Sequence, residues 1–247
     1  MIDKKLKDYV KSKVIDNKII ISFCNKLYKD IALNWVAHLK LLNITNYIII
    51  STDRETEKYL KKHSVNTWYI RGNLSRRSGS GWRWRTESIR NILYFGYDLI
   101  HSDLDNVWLK DAQHLITSNY DMVVSRDDAG FPENVSKKWG FAICPGWMFL
   151  KSTTPCLLML DEICSKTKDF DDQREINEYL YDMFGENYTK MVDKSVELSC
   201  SDINVRVVSP DLIVRGDFIK GCYTCHPYMR KTSDCESQLK RRDFWII

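Results

Sequence analysis

The sequence is short of glycine and proline, with 10 and 5 in 247 residues, and it holds no long hydrophobic run. The first shortage excludes collagen-like and low-complexity chains. The second excludes a spanning helix, which needs about 18–20 consecutive apolar residues; the runs at 47–50 and 142–150 are far shorter. The start of the chain, MIDKKLKDYVKSK, lacks the apolar centre of a signal peptide. Charge of one sign is not in excess: 37 Lys and Arg against 33 Asp and Glu leave +4. That balance permits an anionic small ligand and does not call for nucleic acid. What remains is an ordinary globular composition, 44% hydrophobic and 12% aromatic, which excludes a disordered chain. The length suits one large α/β domain, so residues 1–247 are read as a single domain.

The eight cysteines are irregularly spaced, and no secretion signal accompanies them. They read as reduced thiols of a cytoplasmic compartment. One cluster stands apart: Cys222-Tyr-Thr-Cys225-His226, with Cys235 beyond. C-x-x-C-H is the attachment pattern of c-type haem, and two cysteines with a histidine and a third cysteine can bind zinc. A zinc- or haem-binding module is therefore the alternative reading, beside plain thiols in a C-terminal segment.

Apolar β-rich runs alternate with helical spacing along the chain. Strands are expected at 18–24 (KIIISFC), 47–51, 67–70, 97–101, 120–125, 195–198 and 205–209. Helices are expected at 27–42, 55–63, 84–95, 153–165, 173–183 and 233–241. The segment 140–150 contains Pro145-Gly146, which predicts two short strands or one broken by a turn. Strands alternating with helices predict a mainly parallel sheet flanked by helices, and such sheets bind ligands beyond the carboxyl ends of their strands. Asn25, Asp53, Asp103 and Asp105 follow such ends.

Three segments carry chemistry. Asp103-Leu-Asp105 leaves an apolar strand, where acids are disfavoured. The pair can ligate a hard divalent ion such as Mn²⁺ or Mg²⁺ together with a substrate phosphate, or serve as solvated turn acids. The run Arg76-Arg-Ser-Gly-Ser-Gly-Trp-Arg-Trp-Arg85 can wrap an anion, stack single-stranded nucleic acid, or form a solvated basic face. Asp171-Asp172-Gln173, with Asn177 one turn on, can cap a helix or face a ligand.

Five segments in order resemble the nucleotide-diphospho-sugar transferase family, with a GT-A (Rossmann-like) fold, and within it glycosyltransferase family 77. They are IIISFCNKLYKDIALNW from Ile19, IIISTD from Ile48, RTESIRNILYFGYDLIHSDLDNVWLKD from Arg85, PGWMFLKST from Pro145 with Asp172, Gln173 and Asn177, and GCYTCHPYMRK from Gly221. The chain departs from the family in having Cys144-Pro145 before Gly146, Arg85 in place of lysine, and Tyr228 two residues after His226.

The resemblance implies transfer of a sugar from a nucleoside diphosphate, UDP by family habit, to an acceptor hydroxyl on a glycan, glycoconjugate or protein. It implies that Asp103, Asp105 and His226 bind the metal, with Asp103 also at the nucleotide-sugar. Asn25 and Asp53 would line the nucleotide pocket, Gly146 would let the backbone approach the sugar, and Lys231 would hold a phosphate. Arg85, Asp172 and Gln173 would act beside the donor sugar and the acceptor. The loop 75–81 would close over the donor and exclude water. Retention at the anomeric carbon is implied; an inverting enzyme would need a base such as Asp127, Asp128 or Asp172. A glycoside hydrolase, which also pairs carboxylates, needs neither metal nor nucleotide. Plant and Golgi members carry membrane anchors, and none is visible in this sequence, so a soluble, cytoplasmic enzyme of a microbial or viral kind is expected.

Overall fold

The computed structural model describes residues 4–72, 80–166, 170–227 and 234–247. The run KIIISFC forms β1 (Lys18–Cys24), an interior strand of a run of four parallel strands. Its alternate residues point to opposite faces. Ile19, Ile21 and Phe23 enter one core, and Ile20 and Cys24 enter another. A strand that is apolar on both faces must be covered on both, and each fully buried isoleucine contributes roughly 1.5–3 kcal/mol.

β1 pairs in parallel with β2 (Tyr47–Ser51) and β4 (Asp98–Ser102), and β2 with β3 (Thr67–Tyr69). Beyond β4 the sheet continues through β7 (Ala142–Leu150), β6 (Met122–Asp127), β10 (Asn204–Val207), β9 (Val196–Ser199) and β8 (Thr189–Lys190). Here it departs from the mainly parallel expectation. β7 is antiparallel to both β4 and β6, and β9 is antiparallel to β10 and β8. The sheet is mixed, although β6 and β10 pair in parallel.

Helices cover both faces. Residues of α1 (Lys4–Lys11), α4 (Ser80–Leu93), α5 (Glu133–Trp139), α6 (Thr154–Ser165) and α7 (Asp172–Phe184) fill the first core. Residues of α2 (Lys29–Leu41), α3 (Arg54–Lys62) and α8 (Cys235–Arg241) fill the second. A small sheet joins that second core: β5 (Val107–Trp108), β12 (Thr224–His226) and β11 (Ile213–Arg215).

Segment 140–150 is one nine-residue strand, not two. Its ladder to β6 is interrupted where the proline sits. Val124 pairs with Met148, but the next residue, Ser125, pairs with Cys144. Pro145, Gly146 and Trp147 are looped out of that ladder, so the missing proline N–H leaves no gap in it. The bulge also turns Gly146 toward the carboxyl end of β4.

Candidate functional site

Asp103 and Asp105 stand in the turn that leaves β4. The Asp103 amide donates to the Gly146 carbonyl at 2.8 Å, and the Asn106 amide donates to the Asp103 carbonyl at 3.1 Å. Trp108 holds the far side of the turn: it is fully buried, and its indole N–H donates to Ser102 Oγ at 3.0 Å. β12 runs antiparallel to β5, with Thr224 opposite Trp108 and Cys225 opposite Val107. The next residue, His226, is thereby delivered to the aspartate turn.

His226 Nε2 lies 3.2 Å from Asp105 Oδ1 and 4.0 Å from Asp103 Oδ2. One donor atom from each of Asp103, Asp105 and His226 falls within 4.8 Å of the others, the one such metal-capable group among the described residues. Burial opposes a charge on His226, but the Asp105 carboxylate beside it pushes the imidazole up to about 10. Burial would likewise raise Asp103, yet Arg85, with His101 and His226, holds its carboxyl well below the usual range. Two carboxylates and an imidazole form an oxygen-rich donor set that fits a hard divalent cation.

Gly146 floors this group. A Cβ at that position would lie 2.7 Å from His226 Cε1, 2.8 Å from its Nδ1 and 3.0 Å from Asp103 Oδ2. A side chain here would crowd His226 and Asp103, and glycine leaves both their room. Asp103 is oriented from behind: Arg85 Nη1 donates to its Oδ1 at 2.9 Å, and the buried His101 Nε2 meets the same oxygen at 3.2 Å. Oδ2 is left on the side of His226 and Gly146. The sequence reading passed over His101, although strand alternation places residues 101 and 103 on one face.

Arg85 ties this turn to α7. Its Nε donates to Asp172 Oδ2 at 2.9 Å, its Nη2 reaches the same oxygen, and its guanidinium lies 4.4 Å from the centroid of Trp82. Burial works against the Arg85 charge, but Asp172 and Asp103 more than offset it and hold the guanidinium above its ordinary value. Burial pushes Asp172 up, against the pull of Arg85. Asp171 caps α7 by accepting from the Arg174 amide, which leaves Asp172 and Gln173 on the first turn. Gln173 Nε2 donates to Asp127 Oδ2 and to the Phe131 carbonyl, both at 2.8 Å. Asn177 accepts from the Ile143 amide and donates to the Ile143 carbonyl, each at 2.8 Å, which ties α7 to the start of β7.

A cavity of about 450 Å³ opens over these groups, lined by Asn25, Arg85, Asp103, Asp105, Gly146, Asp172, Gln173 and His226 among others. Arg215, at the end of β11, also lines it, ion-paired to Asp127 at 3.5 Å. Only the β11–β12 pairing reveals that arginine; nothing local in the sequence marks it. Asp53 lies apart, in an adjoining hollow of about 380 Å³ that shares Asn25 with the cavity. Its carboxylate caps α3, accepting from the Thr56 amide at 2.8 Å and the Thr56 hydroxyl at 2.9 Å. Lys231 and loop positions 75–79 lie outside the described residues.

The C-x-x-C-H cluster is divided by its strand. Neighbours in β12 point to opposite faces, so His226 meets the aspartates while Cys225 enters the second core with Cys222 and Cys235. Burial pushes the Cys225 thiol up to about 12 and raises the Cys222 and Cys235 thiols too. Among the described residues, no metal-capable group joins these cysteines to His226, so the zinc reading finds no ligand set there. Among the described residues, no helix is long and apolar enough to cross a membrane.

A family model described as nucleotide-diphospho-sugar transferase matches residues 42–240. Arabinosyltransferase XEG113 of Arabidopsis thaliana is 31% identical over 117 residues, 44% of this chain and 18% of that protein. Beta-arabinofuranosyltransferase RAY1 of the same plant is 21% identical over 156 residues, 59% of this chain and 29% of that protein. The chain thus spans less than a third of the length of these relatives. Among solved structures, galactosyltransferase LgtC in complex with donor and acceptor sugar analogues is similar at a TM-score of 0.55 and 10% identity, covering 92% of this chain and 96% of that one. A glycosyltransferase involved in glycosylation of the major capsid of PBCV-1 is similar at 0.53 and 13% identity, covering 91% and 98%. These likenesses show the GT-A fold.

Proposed function

The chain belongs to the nucleotide-diphospho-sugar transferase family, and we propose that it transfers a sugar from UDP to a hydroxyl of a glycan, glycoconjugate or protein, with Mn²⁺ or Mg²⁺ and with retention. The observation that carries this reading is the convergence of Asp103, Asp105 and His226 over Gly146 at the mouth of β4. Those three side chains would hold the ion, which when bound neutralises the departing diphosphate. The nucleoside would extend from the cavity into the adjoining hollow, past Asn25 and toward Asp53. Lys231 would add a charge-assisted bond to phosphate.

The protein's own groups set the sugar end. Both Nε2 hydrogens of Gln173 are engaged with Asp127 and Phe131, so its carbonyl oxygen is the part left for the sugar. Asp172 is held by Arg85, which fixes the carboxylate rather than freeing it. Each acid that an inverting base would call on is paired with an arginine: Asp127 with Arg215, Asp128 with Arg126, and Asp172 with Arg85. That pairing supports retention, in which the departing phosphate takes the acceptor proton.

The names of the plant relatives favour a pentose as the transferred sugar. The test is a panel of UDP-arabinofuranose, UDP-xylose, UDP-galactose, UDP-glucose and GDP-mannose, with Mn²⁺, read by nucleotide release and by the anomeric coupling of the product. Turnover from a UDP-pentose with the donor's anomeric configuration kept is expected. Turnover from GDP-mannose alone, or an inverted product, contradicts the corresponding part of the reading.

A further inference from the structure

The run Arg83-Trp84-Arg85 can be read from sequence as an anion wrap or a nucleic-acid platform, yet each of its side chains is engaged within the protein. Arg85 grips Asp172 and Asp103. Trp84 packs on Phe23 and so closely on Gly72 that a Cβ there would lie 2.1 Å from its ring, and its indole N–H donates to the Arg71 carbonyl at 3.2 Å. Arg83, two residues from Arg85 and so on another side of α4, faces the connection between α6 and α7.

We infer that Arg83 is a positioning residue for the proposed transfer: it clasps the α6–α7 connection so that Asp172 and Gln173 stand at the sugar end of the cavity. Its Nη1 donates to the Cys164 carbonyl at 2.9 Å, and its Nη2 donates to the Lys166 carbonyl. These carbonyls belong to the end of α6, where backbone oxygens lack helical partners and carry partial negative charge. The same guanidinium lies 4.7 Å from the centroid of the Phe170 ring. Phe170 is buried in the first core and immediately precedes Asp171, the cap of α7. One planar cation thus holds the exit of α6 with its edge and the entry to α7 with its face. The next two residues after that cap are Asp172 and Gln173. A lysine ammonium has donors enough for two carbonyls but lacks the planar fork whose edge meets both while its face lies on the ring. The fold does not depend on this clasp alone, because Lys166 pairs with Glu175 at 2.9 Å across the same connection.

This inference rests on the proposed reaction, and its test separates the two. Arg83→Ala, Arg83→Lys and Phe170→Leu are compared with the wild-type chain in three readouts: turnover at saturating donor, the Mn²⁺-dependent thermal shift with UDP, and amide exchange over α7. Arg83→Ala should lower turnover about tenfold or more, keep the UDP shift, and speed exchange in the first two turns of α7. Arg83→Lys and Phe170→Leu should fall between it and the wild type. Unchanged exchange in α7 overturns the clasp, and so does loss of the UDP shift in parallel with turnover. If the wild-type protein transfers no sugar, the proposed reaction fails, while faster exchange in Arg83→Ala still supports the clasp and unchanged exchange still refutes it.

Discussion

Replacing Gly146 by alanine adds one methyl group at the centre of the site. That carbon would meet His226 Cε1 at 2.7 Å, His226 Nδ1 at 2.8 Å and Asp103 Oδ2 at 3.0 Å. Unstrained contacts begin near about 3.5 Å, so something must move by roughly 0.5–0.8 Å. The backbone is poorly placed to retreat, because the Gly146 carbonyl accepts from the Asp103 amide at 2.8 Å and from Asn106 Nδ2 at 3.3 Å. The donors must yield instead, and a metal site tolerates only about 0.2 Å in its ligand distances. The expected result is a loss of about 10- to 100-fold in Mn²⁺ affinity. Overpacking should cost about 1–3 kcal/mol, a fall in Tm of roughly 2–12 °C for a chain of this size. Calorimetric titration with Mn²⁺, beside thermal unfolding in chelator, reads both. Wild-type Mn²⁺ affinity in a folded Gly146→Ala protein would mean that Asp103 and His226 are not the donors.

Two other perturbations bear on the same residues. Cys222→Ser and Cys225→Ser place hydroxyls in the second core, so each should cost about 1–3 kcal/mol in urea unfolding and leave Mn²⁺ affinity unchanged; reduced Mn²⁺ affinity would restore the cysteines as ligands. In chelator, the His226 pKa of about 10 lies above its unfolded value of about 6.5. Its charge therefore stabilises the metal-free fold fully below about pH 6.5, and that contribution is lost as pH rises toward 10. Urea unfolding of wild-type and His226→Gln proteins between pH 6 and 9.5 should show the difference between them shrinking as pH rises; a constant difference would contradict the ion pair with Asp105.

The central strands were legible because their apolar runs are local: 18–24 and 47–51 return as β1 and β2 with the same limits. The helices from 29 to 41 and 172 to 184 followed their spacing to within two residues. The two-residue β5 and the three-residue β11 and β12 carry no local signal, since they exist only through pairing with one another. At Pro145 the sequence left two strands or one interrupted strand open, because the bulge that accommodates the proline is set by the register of β6. At the site, the family resemblance singled out Asp103, Asp105, His226, Gly146, Arg85, Asp172 and Gln173, and the structure brings them to one cavity. What it did not foresee is how those groups are held: the His101 and Arg85 grip on Asp103, the Arg215–Asp127 pair, and the separation of Cys225 from His226 by strand alternation. Such partners come from distant segments, and residue type alone does not pair them.

The proposed transfer requires that Asp103, Asp105 and His226 form one cation site that holds a nucleoside diphosphate. The most direct measurement is the thermal shift of the purified protein with UDP, with and without Mn²⁺, beside Asp105→Asn. At a hundredfold over Kd, UDP should stabilise by about 2.7 kcal/mol, only with Mn²⁺ present, and the variant should lose that shift while remaining folded. A shift from UDP that ignores both Mn²⁺ and Asp105, or no shift with UDP at all, would contradict the claim.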